Sequence, residues 1–148
     1  MKRYLDQTVI TFTSRSANEG FARAAAACYA ARLDPTLDEL ADIRTAVSEA
    51  VTNAIVHAYP DALGPVTLRL RLLEGNELEI VVKDKGVGIP DVARAREPLF
   101  TTGNEERSGM GFTIMESFMD KVKVRSAVHC GTTVVMRKKV IRRAECEK

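Results

Sequence analysis

Ser48-Glu49-Ala50-Val51-Thr52-Asn53-Ala54-Ile55-Val56-His57-Ala58 is the stretch whose reading decides the fold, because its polar residues fall at helical spacing inside an otherwise apolar segment. Glu49, Asn53 and His57 are each four residues apart. Four helical residues turn through roughly 400°, so these side chains stack along one stripe while Ala50, Val51, Ala54 and Ile55 supply the buried faces. A carboxylate and an amide on one stripe can share a bound metal or a water. A solvated polar stripe would be the simpler account of a lone Glu/Asn pair. Two separate Gly-x-Gly segments downstream, within 84–88 and at 109–111, favour a site.

Upstream, Asp34-Pro35 breaks one helix, and Thr36 with Glu39 forms a capping box that opens the next, a helix of about twenty residues ending near His57. The quoted stretch is its C-terminal half. Ser16 with Glu19 gives an earlier capping box before the alanine-rich run 17–32, which is strongly helix-favouring. Residues 7–14 alternate among β-branched residues and read as strand one, a candidate edge for dimer contacts. Downstream, 66–73 and 77–83 read as strands joined by Glu74-Gly75-Asn76, a hairpin signal. Residues 84–90 form a loop, 92–96 a short helix, and 97–108 a long irregular connection of the kind that serves as a functional lid. Helical spacing returns over 109–120, followed by strands at 122–128 and 132–136 across His129-Cys130-Gly131. The expected class is α+β, a two-layer sandwich of helices on one mainly antiparallel sheet.

At 148 residues and 45% hydrophobic content the chain is expected to form a single domain, 1–148, with a basic tail fraying over about 138–148. A net charge of +2, from 22 Lys+Arg against 20 Asp+Glu, gives no global case for binding nucleic acid directly. Cys28, Cys130 and Cys146 lack metal-ligand spacing and suit a reducing cytoplasm. Cys28 is expected in the core and Cys130 in a turn. No run approaches the roughly 20 apolar residues of a membrane span, so no membrane association is expected.

The loop Asp84-Lys85-Gly86-Val87-Gly88-Ile89-Pro90 puts a carboxylate at a strand end before glycines that clear a path for a ligand. A flat base can lie against that backbone while Asp84 accepts a hydrogen bond from an exocyclic amine, as adenine offers. A plain Asp-x-Gly turn explains the segment about equally well when it is taken alone. Ser108-Gly109-Met110-Gly111 stands directly before a helix, where unpaired N–H groups approached closely through glycine suit phosphates. No G-x-x-x-x-G-K-[ST] occurs, so the cradle is not a P-loop. The three segments fit ATP. Asp84 takes the adenine, Gly109 and Gly111 the phosphates, and Asn53 offers an oxygen to Mg²⁺, which needs few protein ligands when phosphates and water supply the rest. Glu49, one turn earlier, then stands where a general base is needed.

In this order the segments 48–53, 84–88 and 109–111 resemble the N, G1 and G2 boxes of the ATPase superfamily that includes gyrase B, Hsp90, MutL and the histidine kinases, with its Bergerat-type ATP-binding fold. Pro98-Leu99-Phe100-Thr101-Thr102 and Arg107-Ser108-Gly109-Met110-Gly111-Phe112-Thr113-Ile114-Met115-Glu116 are similar to the anti-sigma-F factors of spore-forming bacteria. The resemblance implies a cytoplasmic homodimer that sequesters a sporulation sigma factor and uses ATP and Mg²⁺ to phosphorylate a serine of an anti-anti-sigma protein. A non-catalytic, ATP-switched sigma-binding module is the alternative. Carried over, Glu49 matches the catalytic base, Arg107 an arginine near the phosphates, Asn53 the Mg²⁺ ligand and Asp84 the adenine-binding carboxylate. Gly86, Gly88, Ser108, Gly109, Met110 and Gly111 match the nucleotide loops, Thr101 and Thr102 the lid, and Thr132 or Thr133 a threonine close to adenine. Arg23 matches the position that contacts both protein partners. Ala58 stands where the family commonly has glycine, and the segment 103–106 is one residue shorter than usual.

Overall fold

The computed structural model describes residues 3–96 and 111–141. Among the described residues five strands form one antiparallel sheet in the order β1-β2-β3-β5-β4, with β1 spanning Tyr4–Thr13, β2 Pro65–Leu73, β3 Glu77–Asp84, β4 Lys121–Ala127 and β5 Gly131–Lys139. The α-helices of the described residues are α1 over Ala17–Ala30, α2 over Leu37–Asn53, α3 over Val92–Ala95 and α4 over Gly111–Phe118. This is the expected α+β sandwich.

The period-2 alternation of the strands decides which face meets the helices. Val66, Leu68 and Leu70 of β2, Leu78, Ile80 and Val82 of β3, and Val134 and Met136 of β5 join one core with Ala22, Ala26 and Tyr29 of α1, Ile43, Val47 and Val51 of α2, and Phe112 and Met115 of α4. Each fully buried Leu or Ile contributes about 1.5–3 kcal/mol through removal of apolar surface from water. The hairpin between β2 and β3 turns at Gly75 and Asn76, both at positive φ, and pairs Leu73 with Glu77 through Val66 with Asp84. That register sets Asp84 at the end of a central strand. β1 is an edge strand, paired on one side only.

The capping box at Thr36 is formed: Glu39 N donates to Thr36 Oγ1 at 3.0 Å and Thr36 N to Glu39 Oε1 at 2.9 Å. The one at Ser16 is not. Ser16 is itself helical (φ −54°, ψ −35°), and its side chain makes no cap bond. The second helix also differs from expectation. Its α-helical part ends at Asn53, and Ala54–Ala58 widen into a π-helix, a form common at functional sites. The widened turn follows directly after Asn53 and so separates the Glu49–Asn53 pair, which lies in the α-helical part, from His57.

Two further expectations are corrected. Cys28 is exposed, because the core-facing positions of α1 are Ala22, Ala26, Tyr29 and Ala30. The basic segment does not fray from 138. Lys138 lies in β5 and donates from Nζ to Phe118 O at 2.9 Å, Val140 is 1% exposed, and Val140 N donates to Asn76 O. The long Lys138 stem packs while its ammonium finds the C-terminal carbonyls of α4. Residues 142–148 lie outside the described part. No helix among the described residues is long and apolar enough to cross a membrane.

Candidate functional site

Asp84 ends β3 and is 6% exposed. Its Oδ1 accepts from Gly86 N at 3.0 Å and from Thr132 N at 3.1 Å, which leaves Oδ2 without a donor among the described residues. Burial pushes the carboxyl above its ordinary 3.8, and the two N–H donors pull the other way without cancelling that effect. An ionised, desolvated acceptor anchored through one oxygen is suited to a ligand N–H donor on the other.

The loop after Asp84 is fastened to its surroundings on both sides. Val87 N donates to Ala58 O at 2.9 Å, and His129 N to Val87 O at 2.8 Å. Lys85 N donates to Tyr59 Oη at 2.7 Å, and that hydroxyl donates to Pro65 O at 2.7 Å. Ile89 N donates to Ser126 Oγ at 2.7 Å, and Ser126 in turn lies 2.8 Å from Thr132 Oγ1. The glycines permit this packing. A Cβ at Gly86 would stand 2.1 Å from Ala58 O, and Gly88 combines φ +78° with a Cβ position 2.1 Å from Ala127 O. Ala58 is therefore accommodated where a glycine is common. Its side chain packs at 6% exposure and its carbonyl fixes the loop.

The second half of the site comes from α2 and α4. A Cβ at Gly111 would lie 3.1 Å from Asn53 Nδ2, 3.4 Å from Asn53 Oδ1 and 3.4 Å from Glu49 Oε2. The ends of Glu49 and Asn53 thus converge on the first residue of α4, whose glycine keeps the approach open. Among the described residues no group of three or more His, Cys, Asp or Glu side chains could hold a metal unaided. One amide oxygen beside a helix N-terminus fits a Mg²⁺ that draws most ligands from phosphates and water.

Of the residues singled out from sequence, Glu49, Asn53 and Gly111 come together, and so do Asp84, Gly86, Gly88 and Thr132. Thr133 does not join them. It pairs with Lys83, and the strand alternation turns it to the opposite sheet face from Thr132. Arg23 sits partly exposed on α1 with Nη2 3.8 Å from Glu19 Oε2. Thr101, Thr102, Arg107, Ser108, Gly109 and Met110, with the expected lid, lie outside the described residues. Three contributors went unread in the sequence. Ser126 and Tyr59 carry no motif. Gly131 read only as a hairpin residue, yet a Cβ there would stand 2.2 Å from Asp84 O.

Helices on one face of an antiparallel sheet, a buried carboxylate at a central strand end and a carboxylate–amide pair at a glycine helix start define a class of nucleotide-binding domain. The family model described as the histidine kinase-like ATPase domain matches residues 12–138, which implies ATP as ligand. The anti-sigma F factor of Geobacillus stearothermophilus is 55% identical over 94% of this chain and 92% of its own length. That of Caldanaerobacter subterraneus subsp. tengcongensis is 52% identical over 91% of this chain and 94% of its own. A solved structure of RsbU and RsbW domains from Mycobacterium tuberculosis is similar in fold, with a TM-score of 0.68 at 19% identity, covering 92% of this chain and 33% of that one. The chain belongs to the anti-sigma F factor family of histidine kinase-like ATPases.

Proposed function

We propose that the chain is a cytoplasmic anti-sigma factor and ATP-dependent protein serine kinase, a single domain acting as a homodimer in sporulation. It sequesters a sigma factor and phosphorylates a serine of an anti-anti-sigma protein. The observation that carries the reading is the convergence of Glu49 and Asn53 on Gly111. In an ATPase domain it supports a proton acceptor and a cation ligand on α2, a different element from the strand that carries Asp84. The names of the relatives supply the sigma partner.

In this reading Asp84 takes the adenine amine through Oδ2 while Thr132, held by Ser126, lines the same wall. Asn53 holds Mg²⁺, which neutralises charge on the phosphates when bound. Glu49 accepts the proton of the substrate serine as that oxygen bonds to the γ-phosphorus and ADP departs. Gly109 and Arg107 belong with the phosphates, Thr101 and Thr102 with closure over them. Arg23 serves both protein partners. The homodimer uses the unpaired edge of β1, where Tyr4, Leu5 and Val9 are more than half exposed.

The test is to incubate the chain with γ-labelled ATP, Mg²⁺ and a candidate anti-anti-sigma protein. Phosphoserine on that protein is expected. ATP binding and sigma capture without phosphoserine would instead identify a non-catalytic, ATP-switched module.

A further inference from the structure

We propose that Glu19 is a positioning residue that links the partner face of α1 to the turn carrying Glu49. The inference rests on the reading that Arg23 meets a protein partner and Glu49 accepts the proton. Since Ser16 forms no cap bond, the Glu19 carboxylate is not used at the start of its own helix. It reaches across to α2 instead, where Oε1 accepts a hydrogen bond from Ser48 Oγ. Its other oxygen lies 3.8 Å from Arg23 Nη2, one turn along α1.

The path runs from outside to inside. The Arg23 side chain is 42% exposed and that of Glu19 22%, while Ser48 is part-buried and directly precedes Glu49. Both helices bury small side chains at their core-facing positions, Ala22 and Ala26 on α1 and Ala46 and Ala50 on α2. The small side chains let the two helices approach closely, and the Glu19–Ser48 hydrogen bond adds a directional polar tie beside that packing. A partner carboxylate that engages Arg23 draws the cation away from Glu19 and leaves Ser48 as the carboxylate's remaining partner. The grip of α1 on the Ser48–Glu49 turn changes with it. Docking at Arg23 and proton acceptance at Glu49 are thereby coupled through one side chain.

The experiment is steady-state phosphotransfer from ATP to the anti-anti-sigma protein by the full chain and its Ser48→Ala, Ser48→Thr, Glu19→Ala and Arg23→Ala variants. ATP affinity and unfolding temperature are measured on the same samples. Arg23→Ala raises KM for the protein substrate and, because it takes the cation from Glu19, also shifts kcat; an unchanged kcat in Arg23→Ala would overturn the coupling. Ser48→Ala and Glu19→Ala lower kcat about tenfold, the effect of a modest loss of transition-state positioning, with ATP affinity held. Ser48→Thr restores kcat by keeping the hydroxyl. Wild-type kcat in Ser48→Ala and Glu19→Ala would overturn the coupling and leave the kinase reading intact. So would parallel losses of kcat, ATP affinity and unfolding temperature that Ser48→Thr does not restore, since these mark a purely structural tie. No transfer by the wild-type chain would overturn both readings.

Discussion

Replacing Asp84 with Asn exchanges one carboxylate oxygen for an amino group and nothing else. The retained oxygen can still accept from Gly86 N and Thr132 N, the bonds that hold the loop at 3.0 and 3.1 Å. Burial disfavours the ionised carboxylate, so a neutral amide removes a desolvation penalty while its two N–H bonds become weaker than charge-assisted ones. These effects oppose each other, and the unfolding midpoint at neutral pH is expected to stay within about 4 °C of wild type. ATP binding does not have that compensation. The position of Oδ2 now presents a donor to the adenine amine, also a donor, and a hydrogen bond to a charged acceptor contributes about 1.5–3 kcal/mol. The expected loss is about 10- to 150-fold in ATP affinity. Guanine carries a carbonyl at the corresponding edge, so GTP should lose less than ATP or gain. Calorimetric titration of wild type and Asp84→Asn with both nucleotides, beside thermal unfolding, checks this. ATP affinity within twofold of wild type in a folded variant would refute the role given to Asp84. So would equal losses for ATP and GTP.

Gly86→Ala sets a methyl 2.1 Å from Ala58 O; relief requires separating the loop from Ala58 and stretching the Val87–Ala58 hydrogen bond. Overpacking of this kind destabilises by about 1–3 kcal/mol, and ATP affinity should fall at least about tenfold. Ala58→Gly in the same chain should restore little, because the clash is with the carbonyl. Titration and thermal unfolding of single and double variants read both effects. The raised Asp84 pKa gives opposite pH trends. Its ionised form accepts the adenine amine, so ATP affinity falls as pH drops through a value above 3.8. The folded, nucleotide-free chain holds that proton more tightly than the unfolded chain, so this group's stabilisation is present below 3.8 and lost as pH rises through the raised value. Asp84→Asn should abolish both trends in pH-dependent titration and unfolding. Thr36→Ala removes the cap of α2 and is expected to destabilise by about 1 kcal/mol, lowering the unfolding midpoint by about 2–4 °C with ATP affinity unchanged.

What proved legible in the sequence was local chemistry. Thr36 and Glu39 act three residues apart, Gly75-Asn76 closes a hairpin between neighbouring strands, and the Asp84 loop follows a strand whose alternation is plain. Alanine hid more. In α1 half of the 14 positions are Ala, with an unbroken run over 24–27, so periodicity did not separate the buried Ala26 from the exposed Cys28. Glu19 satisfied a local capping pattern, but Ser48 lies 29 residues away and competed successfully for its carboxylate. The widening after Asn53 ends at Ala58, which packs under the Gly86 loop, a contact between distant segments. At the other end of the chain, charged residues masked the last residues of strand β5, read only to Met136 but running to Lys139. Arg137 donates from Nε to Glu79 Oε2 at 2.9 Å and Lys138 reaches Phe118 O, so a basic run that reads as a solvated tail is part of the sheet. Ser126 illustrates the limit for the site itself, since a single serine in an alternating strand signals nothing until Ile89 and Thr132 are brought beside it.

The central claim is that Glu49 takes the proton while Asn53 and Asp84 hold the nucleotide. Single-turnover phosphotransfer by Glu49→Gln to the anti-anti-sigma protein, with ATP affinity measured on the same sample, tests it most directly. Glutamine keeps the length and hydrogen-bonding reach of the side chain beside Gly111 but cannot accept the serine proton as a base. Transfer should slow about 10²- to 10⁴-fold with ATP affinity within a few-fold of wild type. Transfer at the wild-type rate would contradict the assignment.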